Sequence, residues 1–287
     1  MAGFTVKAEG GSVIVETDDY TLIFSEAPVG ITSFYYEKDG VEHDVVGDMV
    51  YPMTLFQPFF YAGEISGAVL WSDGGTSIEV EKNFDWFVQI KQTGYMRNPV
   101  IPTCTDFPFN VTWYLWPSGR IGCRMEIKNL SGFVIVVEEE AYRLNPANDA
   151  DISPERDTAP SLEWFGFQSN NTGSGAEDLS HDVICVPYVS SLNSYDASGK
   201  INRIYDNDVT WLNSETLTRW FLLALSVDGS WGDCANGADI QSRGDEISAD
   251  LKNPDPLDGS ADAGDILTGT LIGTGFDEYT SAITVGV

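Results

Sequence analysis

Apolar and polar residues alternate along this chain in short runs that stop at turn-forming residues. Val13 and Val15 alternate with Ser12, Ile14 and Glu16 up to the Asp18-Asp19 break, and Tyr20 to Phe24 reads as a second strand. Ile31 to Tyr36 makes a third, ending at the hairpin signal Lys38-Asp39-Gly40. Ala68 to Trp71 runs into the turn residues Asp73-Gly74-Gly75, beyond which Ile78 and Val80 alternate with Ser77, Glu79 and Glu81. Phe84, Trp86, Val88 and Ile90 then predict one apolar strand face, with Asp85, Gln89 and Lys91 pointing away from it.

The clearest unit is Phe109 to Lys128. Val111, Trp113 and Leu115 alternate up to Trp116, Pro117-Ser118-Gly119 supplies a tight turn, and Ile121, Cys123, Met125 and Ile127 return on one face opposite Arg120, Arg124, Glu126 and Lys128. A period of two explains this spacing, whereas a helix would scatter those apolar residues around its axis. Phe133 to Val137, Val183 to Tyr188, Ile266 to Ile272 and Ala282 to Val287 read as further strands. Leu217 to Val227 is compatible with strand or short helix, and strand is preferred. Asn145 to Pro160 and Gln168 to Glu177 read as long loops, and Asp228 to Gly264 as loop-dominated.

These elements predict an all-β protein: an antiparallel β-sandwich, extensible to a supersandwich, with long acidic loops. Residues 1–287 are expected to form one large domain, with a subdivision, if there is one, near 145–160. The composition supplies a core, since 43% of residues are hydrophobic and 12% aromatic. Asp and Glu number 44 against 15 Lys and Arg, a formal charge of −29. Such a surface repels nucleic-acid phosphates and anionic lipid, so neither nucleic acid nor membrane insertion is expected. The run Trp220 to Leu225 is too short to span a bilayer. The start, Met1-Ala2-Gly3-Phe4, lacks the basic and apolar regions of a signal peptide, so a virion or extracellular location implies a removed leader or another route out.

Candidate chemistry is sparse. His43, in Glu42-His43-Asp44, and His181, in Ser180-His181-Asp182, are the only imidazoles and the weak catalytic candidates, each beside acidic residues. Cys104, Cys123, Cys185 and Cys234 show no metal-binding spacing; two disulfides and four buried thiols both remain open, with Cys123 placed on an apolar strand face. Calcium is the one cofactor the carboxylates admit. Asp258, Asp262 and Asp265 are the expected ligands because Gly259 and Gly264 let the backbone fold around an ion. Tyr61, Trp164 and Phe167, in aromatic-rich segments, are the expected ligand-stacking residues for a glycan. Asn110-Val111-Thr112, Asn129-Leu130-Ser131 and Asn170-Asn171-Thr172 match the glycosylation sequon, and Arg243-Gly244-Asp245 spells an integrin-binding tripeptide.

The opening, Ser12-Val13-Ile14-Val15-Glu16-Thr17 through Tyr20-Thr21-Leu22-Ile23-Phe24 to Gly30-Ile31-Thr32-Ser33-Phe34, resembles the start of galactose-mutarotase-like supersandwich domains. The Trp113 to Ile127 hairpin is similar to a mid-sheet hairpin of such domains. The resemblance covers about the first half of the chain and implies the fold of mutarotases and related polysaccharide lyases. In those enzymes His, Glu, Tyr and Arg residues act in the groove; this sequence has no motif onto which they can be carried. Two function classes follow. One is a non-enzymatic structural or adhesive protein of a virion or extracellular surface, contacting glycans and associating with itself or with other surface proteins. The other is a carbohydrate-active enzyme of lyase or mutarotase type. Scarce histidine and the lack of a catalytic signature favour the first.

Overall fold

The computed structural model describes residues 4–17, 20–26, 29–38, 41–44, 57–61, 77–85, 87–95, 107–115, 120–144, 152–156, 164–169, 182–188, 194–196, 202–206, 209–225 and 244–245. These hold strands β1 (Thr5–Glu9), β2 (Ser12–Glu16), β3 (Thr21–Ser25), β4 (Gly30–Lys38), β5 (Val41–Asp44), β6 (Gln57–Tyr61), β7 (Ser77–Phe84), β8 (Phe87–Tyr95) and β9 (Pro108–Leu115). They continue as β10 (Arg120–Lys128), β11 (Ile135–Leu144), β12 (Ile152–Arg156), β13 (Phe165–Ser169), β14 (Asp182–Tyr188), β15 (Ser194–Asp196), β16 (Asn202–Asp206), β17 (Val209–Trp211) and β18 (Thr216–Leu225). The fold is all-β and antiparallel, as the alternation predicts.

Strands β1 to β5 form a meander in chain order. Its first turn is built by Gly10 and Gly11, both at positive φ, which close a two-residue hairpin between the paired Glu9 and Ser12. The eight-stranded sheet runs β12-β13-β14-β18-β10-β9-β8-β7. A third sheet runs β15-β16-β11-β17, and β6 also pairs with β11.

Alternation decides what each sheet buries. Val13, Val15, Leu22, Phe24 and Ile31 of the meander join Val88, Ile90, Val111, Trp113, Leu115, Ile121, Cys123, Ile127, Phe221 and Leu223 of the long sheet in one apolar core. Two sheets packed over such a core make a sandwich. Phe24 and Trp113 meet there with ring centroids 5.4 Å apart. One polar relay crosses the core: the Trp113 indole N–H donates to Gln92 Oε1 at 2.7 Å, and Gln92 Nε2 donates to the Ser25 carbonyl at 2.6 Å. Gln92 is therefore buried with its amide satisfied at both ends, as burial of a polar group requires.

The predicted hairpin is present: β9 pairs with β10, with Cys123 opposite Trp113. Leu217 to Leu225 lies in a strand, β18, that pairs with both β10 and β14 near the middle of the long sheet. The Lys38-Asp39-Gly40 signal also holds, because Lys38 pairs with Val41.

Two expectations are corrected. Phe84 to Ile90 is not one face, because the chain reverses between Phe84 and Phe87, which pair with each other; Phe84 is left exposed while Val88 and Ile90 enter the core. Asn145 to Pro160 is not wholly loop: it contains β12, whose Pro154 pairs with Phe167. That strand lies at the sheet margin, where a residue without an N–H leaves no ladder donor missing on the open side. The segments Ala68 to Trp71, Ile266 to Ile272 and Ala282 to Val287 lie outside the described residues.

Candidate functional site

The second face of the eight-stranded sheet is polar. Residues that alternate with the core positions fall on it: Gln89 and Lys91 of β8, Thr112 and Tyr114 of β9, Arg124 and Glu126 of β10. Register places them side by side. Gln89 is opposite Tyr114, which is opposite Gly122; Lys91 is opposite Thr112, which is opposite Arg124; Asn110 is opposite Glu126. Lys91 and Arg124 thus flank Thr112 from the two neighbouring strands, about 10 Å apart by the usual strand spacing.

This face is not an ordinary wet one. Polar residues on the outer face of an antiparallel sheet normally stand in solvent. Here Gln89 is only 5% exposed and Thr112 9%, and the Arg124 side chain is 19% exposed. Phe87, Tyr114, Trp164 and Ile184 are likewise buried yet stand outside the core cluster, and Phe87 stacks on Tyr114 with centroids 6.4 Å apart. Buried polar and aromatic groups thus lie on this face, with charged side chains only 19–33% exposed on β7, β8 and β10, and this partly covered face is termed the recess.

The charges within it are paired. Lys91 Nζ lies 3.3 Å from Glu81 Oε1, and Arg124 Nη2 donates to Glu126 Oε1 at 2.6 Å. Gln89 Nε2 donates to the other Glu81 oxygen at 2.5 Å. Because a carboxylate only accepts, that contact fixes the amide orientation and turns the Gln89 carbonyl away from Glu81. The carbonyl oxygen is buried and has no hydrogen-bond partner among the described residues.

The described residues singled out from the sequence lie on several different strands. His43 sits on β5 opposite Tyr36, in the five-stranded meander. His181 lies outside the described residues, as do Asp258, Asp262 and Asp265; among the described residues no cluster suited to a metal ion occurs. Tyr61 ends β6 opposite Val136, and Phe167 pairs with Pro154 and Val183 in β13.

Trp164, expected as a stacking platform, is instead completely buried, with its indole N–H donating to Asp245 Oδ1 at 3.0 Å. Gly244 presses on the ring so closely that a Cβ there would overlap the indole. Gly244 and Asp245 of the integrin-like tripeptide are thus a cap on Trp164.

Asn129 of the middle sequon is buried, and its amide nitrogen donates to the carbonyls of Phe133, Trp211 and Leu212, which withholds it from glycosylation in the folded state. Asn110 of the first sequon is exposed. Cys123 and Cys185 are free, buried thiols, and Cys104 and Cys234 lie outside the described residues. Among the described residues no helix is long and apolar enough to cross a membrane.

The recess residues were visible in the sequence as the polar partners of apolar strand positions. What the alternation does not reveal is that this polar face is partly buried.

No family model matches the chain, and no curated protein matches it. Solved structures share its strand layout distantly. A polysaccharide lyase is similar over 72% of this chain at 9% identity with a TM-score of 0.47; the chain spans about a third of that protein's length, 32%. A galactose 1-epimerase from Lactobacillus acidophilus is similar over 79% of this chain and 99% of its own, at 8% identity and a TM-score of 0.43. YidC from Thermotoga maritima is similar over 78% of this chain and 51% of its own, at 11% identity and a TM-score of 0.42. The mutarotase-like and lyase-like resemblance read from the strand pattern therefore recurs as a low-identity structural likeness.

Proposed function

We propose that the protein binds carbohydrate in the recess on the second face of its eight-stranded sheet. The observation that carries this reading is the cluster of polar side chains that register sets side by side on this face, Lys91, Thr112, Arg124 and Glu126 with Glu81, whose charged members stay partly exposed. Planar amide, carboxylate and guanidinium groups, with a hydroxyl between them, offer the donors and acceptors that a polyhydroxylated ligand exchanges with water. The setting that fits is a glycan-contacting surface protein, extracellular or on a virion, where a charge of −29 keeps it soluble.

A second reading, turnover of the same ligand by a lyase or mutarotase type of chemistry, is favoured by the titratable groups in the recess. Acid–base catalysis needs such groups within reach of the reacting atoms, and Glu126, Lys91 and Glu81 supply them. One experiment addresses both. A panel of neutral and acidic polysaccharides is offered to the protein and to Arg124→Ala, measuring retention, new reducing ends and absorbance from unsaturated products. Retention that Arg124→Ala abolishes is expected. Absence of retention, or retention indifferent to Arg124, rejects the site, and turnover promotes the second reading over simple binding.

A further inference from the structure

Six large apolar side chains are exposed among the described residues, and four of them share one corner of the molecule. Leu130, Phe133 and Val134 lie between β10 and β11, and Leu212 lies between β17 and β18. We infer that this corner is a contact surface for a second copy of the chain, and that salt tightens the contact. The inference is independent of the binding reading above.

The two turns form one unit. The Asn129 amide nitrogen donates to the carbonyls of Phe133, Trp211 and Leu212, and the Gly132 N–H donates to Asn213 Oδ1 at 3.0 Å. Main-chain bonds from Asn129 to Ser214 and Glu215 close the knot, with Ser214 held at φ 67°. These bonds fix the turns while Leu130 to Phe133 stay 45% to 74% exposed at their apolar members. Apolar surface grouped in this way gains by leaving water against another surface. A surface ordered beforehand loses little conformational freedom in doing so.

Charge selects the occupant. Acidic residues make up 44 of the 287, yet residues 128–134 and 212–216 contain only Lys128 and Glu215, one charge of each sign. Glu215 is turned back on its own turn, where Oε2 accepts the Leu212 N–H at 2.8 Å. A basic partner finds more carboxylates elsewhere on the chain, and an anionic lipid surface is repelled by the net charge of −29. Two copies repel each other as well, so they approach best where both are locally neutral. A two-fold contact sets this corner against itself and admits Lys128 of each copy to Glu215 of the other. Salt screens the long-range repulsion between copies and leaves the apolar contact in place. Four side chains fall short of the roughly 800 Å² per partner of a standard interface, so the dimer is weak.

The test is sedimentation equilibrium of the wild type, Phe133→Ser and Leu212→Ser from about 10 μM to about 1 mM, at about 0.01 M and about 0.1 M salt. A thermal melt of each protein checks its fold, and co-sedimentation with phosphatidylcholine vesicles tests a lipid surface. The wild-type mass is expected to rise with concentration from one chain toward two, with a dissociation constant at least threefold lower at the higher salt. Each folded variant should weaken association at least tenfold, and if one fails to fold the other carries the test. A wild type that stays monomeric throughout, or association that salt weakens or that neither substitution changes, overturns the inference. So does a monomer that follows the vesicles through Phe133, which would make the corner a lipid contact.

Discussion

Asn129 shows how much one polar side chain can hold together. It directly follows the last residue of β10 and is completely buried, with Nδ2 donating to three carbonyls and Oδ1 accepting from the Ser131 amide and hydroxyl at 3.1 and 2.7 Å. Its main chain joins the same knot: its N–H donates to the Glu215 carbonyl and its carbonyl accepts from Ser214. Ser214 is held at φ 67°, the one positive value among the described non-glycine residues. Asn129→Ala should therefore cost about 2–3 kcal/mol in urea unfolding, because it strips partners from several groups at once. Asn129→Asp should cost more, since it sets an acceptor against three acceptors. A loss under about 0.5 kcal/mol for both variants contradicts this account. The buried thiols act differently. Burial pushes Cys123 and Cys185 well above the ordinary cysteine pKa, and for Cys123 the neighbouring Cys185 adds to the rise. With the folded pKa raised, the thiols' contribution to stability is whole below the unfolded pKa of about 8.5 and is lost as pH rises beyond it, when only the unfolded chain ionises. Each thiol should add up to about 1.4 kcal/mol of lost stability per pH unit above that point. Unfolding free energies between about pH 7 and 10 should fall less steeply in the Cys123→Ala/Cys185→Ala double variant than in the wild type; equal slopes would show that the thiols carry none of the alkaline loss.

Among elements, the sandwich depends on how β8 and β9 meet the meander. Trp113 on β9 donates to Gln92 on β8, which donates to Ser25 at the end of β3, so a single relay ties both layers in register. Trp113→Phe keeps most of the apolar volume but orphans Gln92 Oε1, and should cost about 1–3 kcal/mol. Adding Gln92→Leu removes the orphaned acceptor and should recover part of that loss in a double-mutant cycle; strict additivity would mean the relay is not a coupled unit. By contrast Phe133, 74% exposed beside β11, should tolerate Phe133→Ser within about 0.5 kcal/mol. The elements also show what alternation conveys and where it stops. Val111 to Ile127 was legible because Pro117-Ser118-Gly119 announces the turn between two clean period-two faces. The reversal between Phe84 and Phe87 was not, since aromatic residues on both sides hide a turn that has no glycine or proline. Pro154 misled in the other direction: proline and acidic neighbours read as loop, yet a marginal strand accommodates them. In the sequence, residue type drew attention to His43 and Trp164, while Gln89, Lys91, Arg124 and Glu126 were legible only by position, as the polar partners of core residues. Sequence alternation shows which side they face; only the folded chain shows that this side is partly closed.

At the scale of the whole molecule the dominant quantity is charge. An excess of 29 negative charges on 287 residues means that most carboxylates have no cation to pair with. The ion pairs among the described residues, Lys7 with Glu16, Lys91 with Glu81 and Arg124 with Glu126, relieve the repulsion locally but leave the net charge unchanged. Folding concentrates that charge, so compaction works against self-repulsion, and the penalty shrinks as salt shortens the screening length from about 30 Å at 0.01 M to about 10 Å at 0.1 M. The melting temperature should accordingly rise between these two salt concentrations, by about 2–4 °C for each kcal/mol of repulsion removed, and then level off as the screening length drops below the spacing of surface charges. Screening depends on ionic strength and not on the identity of the cation, whereas a coordinating site does not behave this way. Melts in sodium, magnesium and calcium chloride at one matched ionic strength therefore separate the two. Coincident melting temperatures, all above the low-salt value, are the outcome that screening predicts. An additional rise confined to calcium, and lost in Asp262→Asn, would establish a specific ion among Asp258, Asp262 and Asp265. A melting temperature indifferent to salt would mean that the 29 excess charges lie too far apart in the folded state to oppose it.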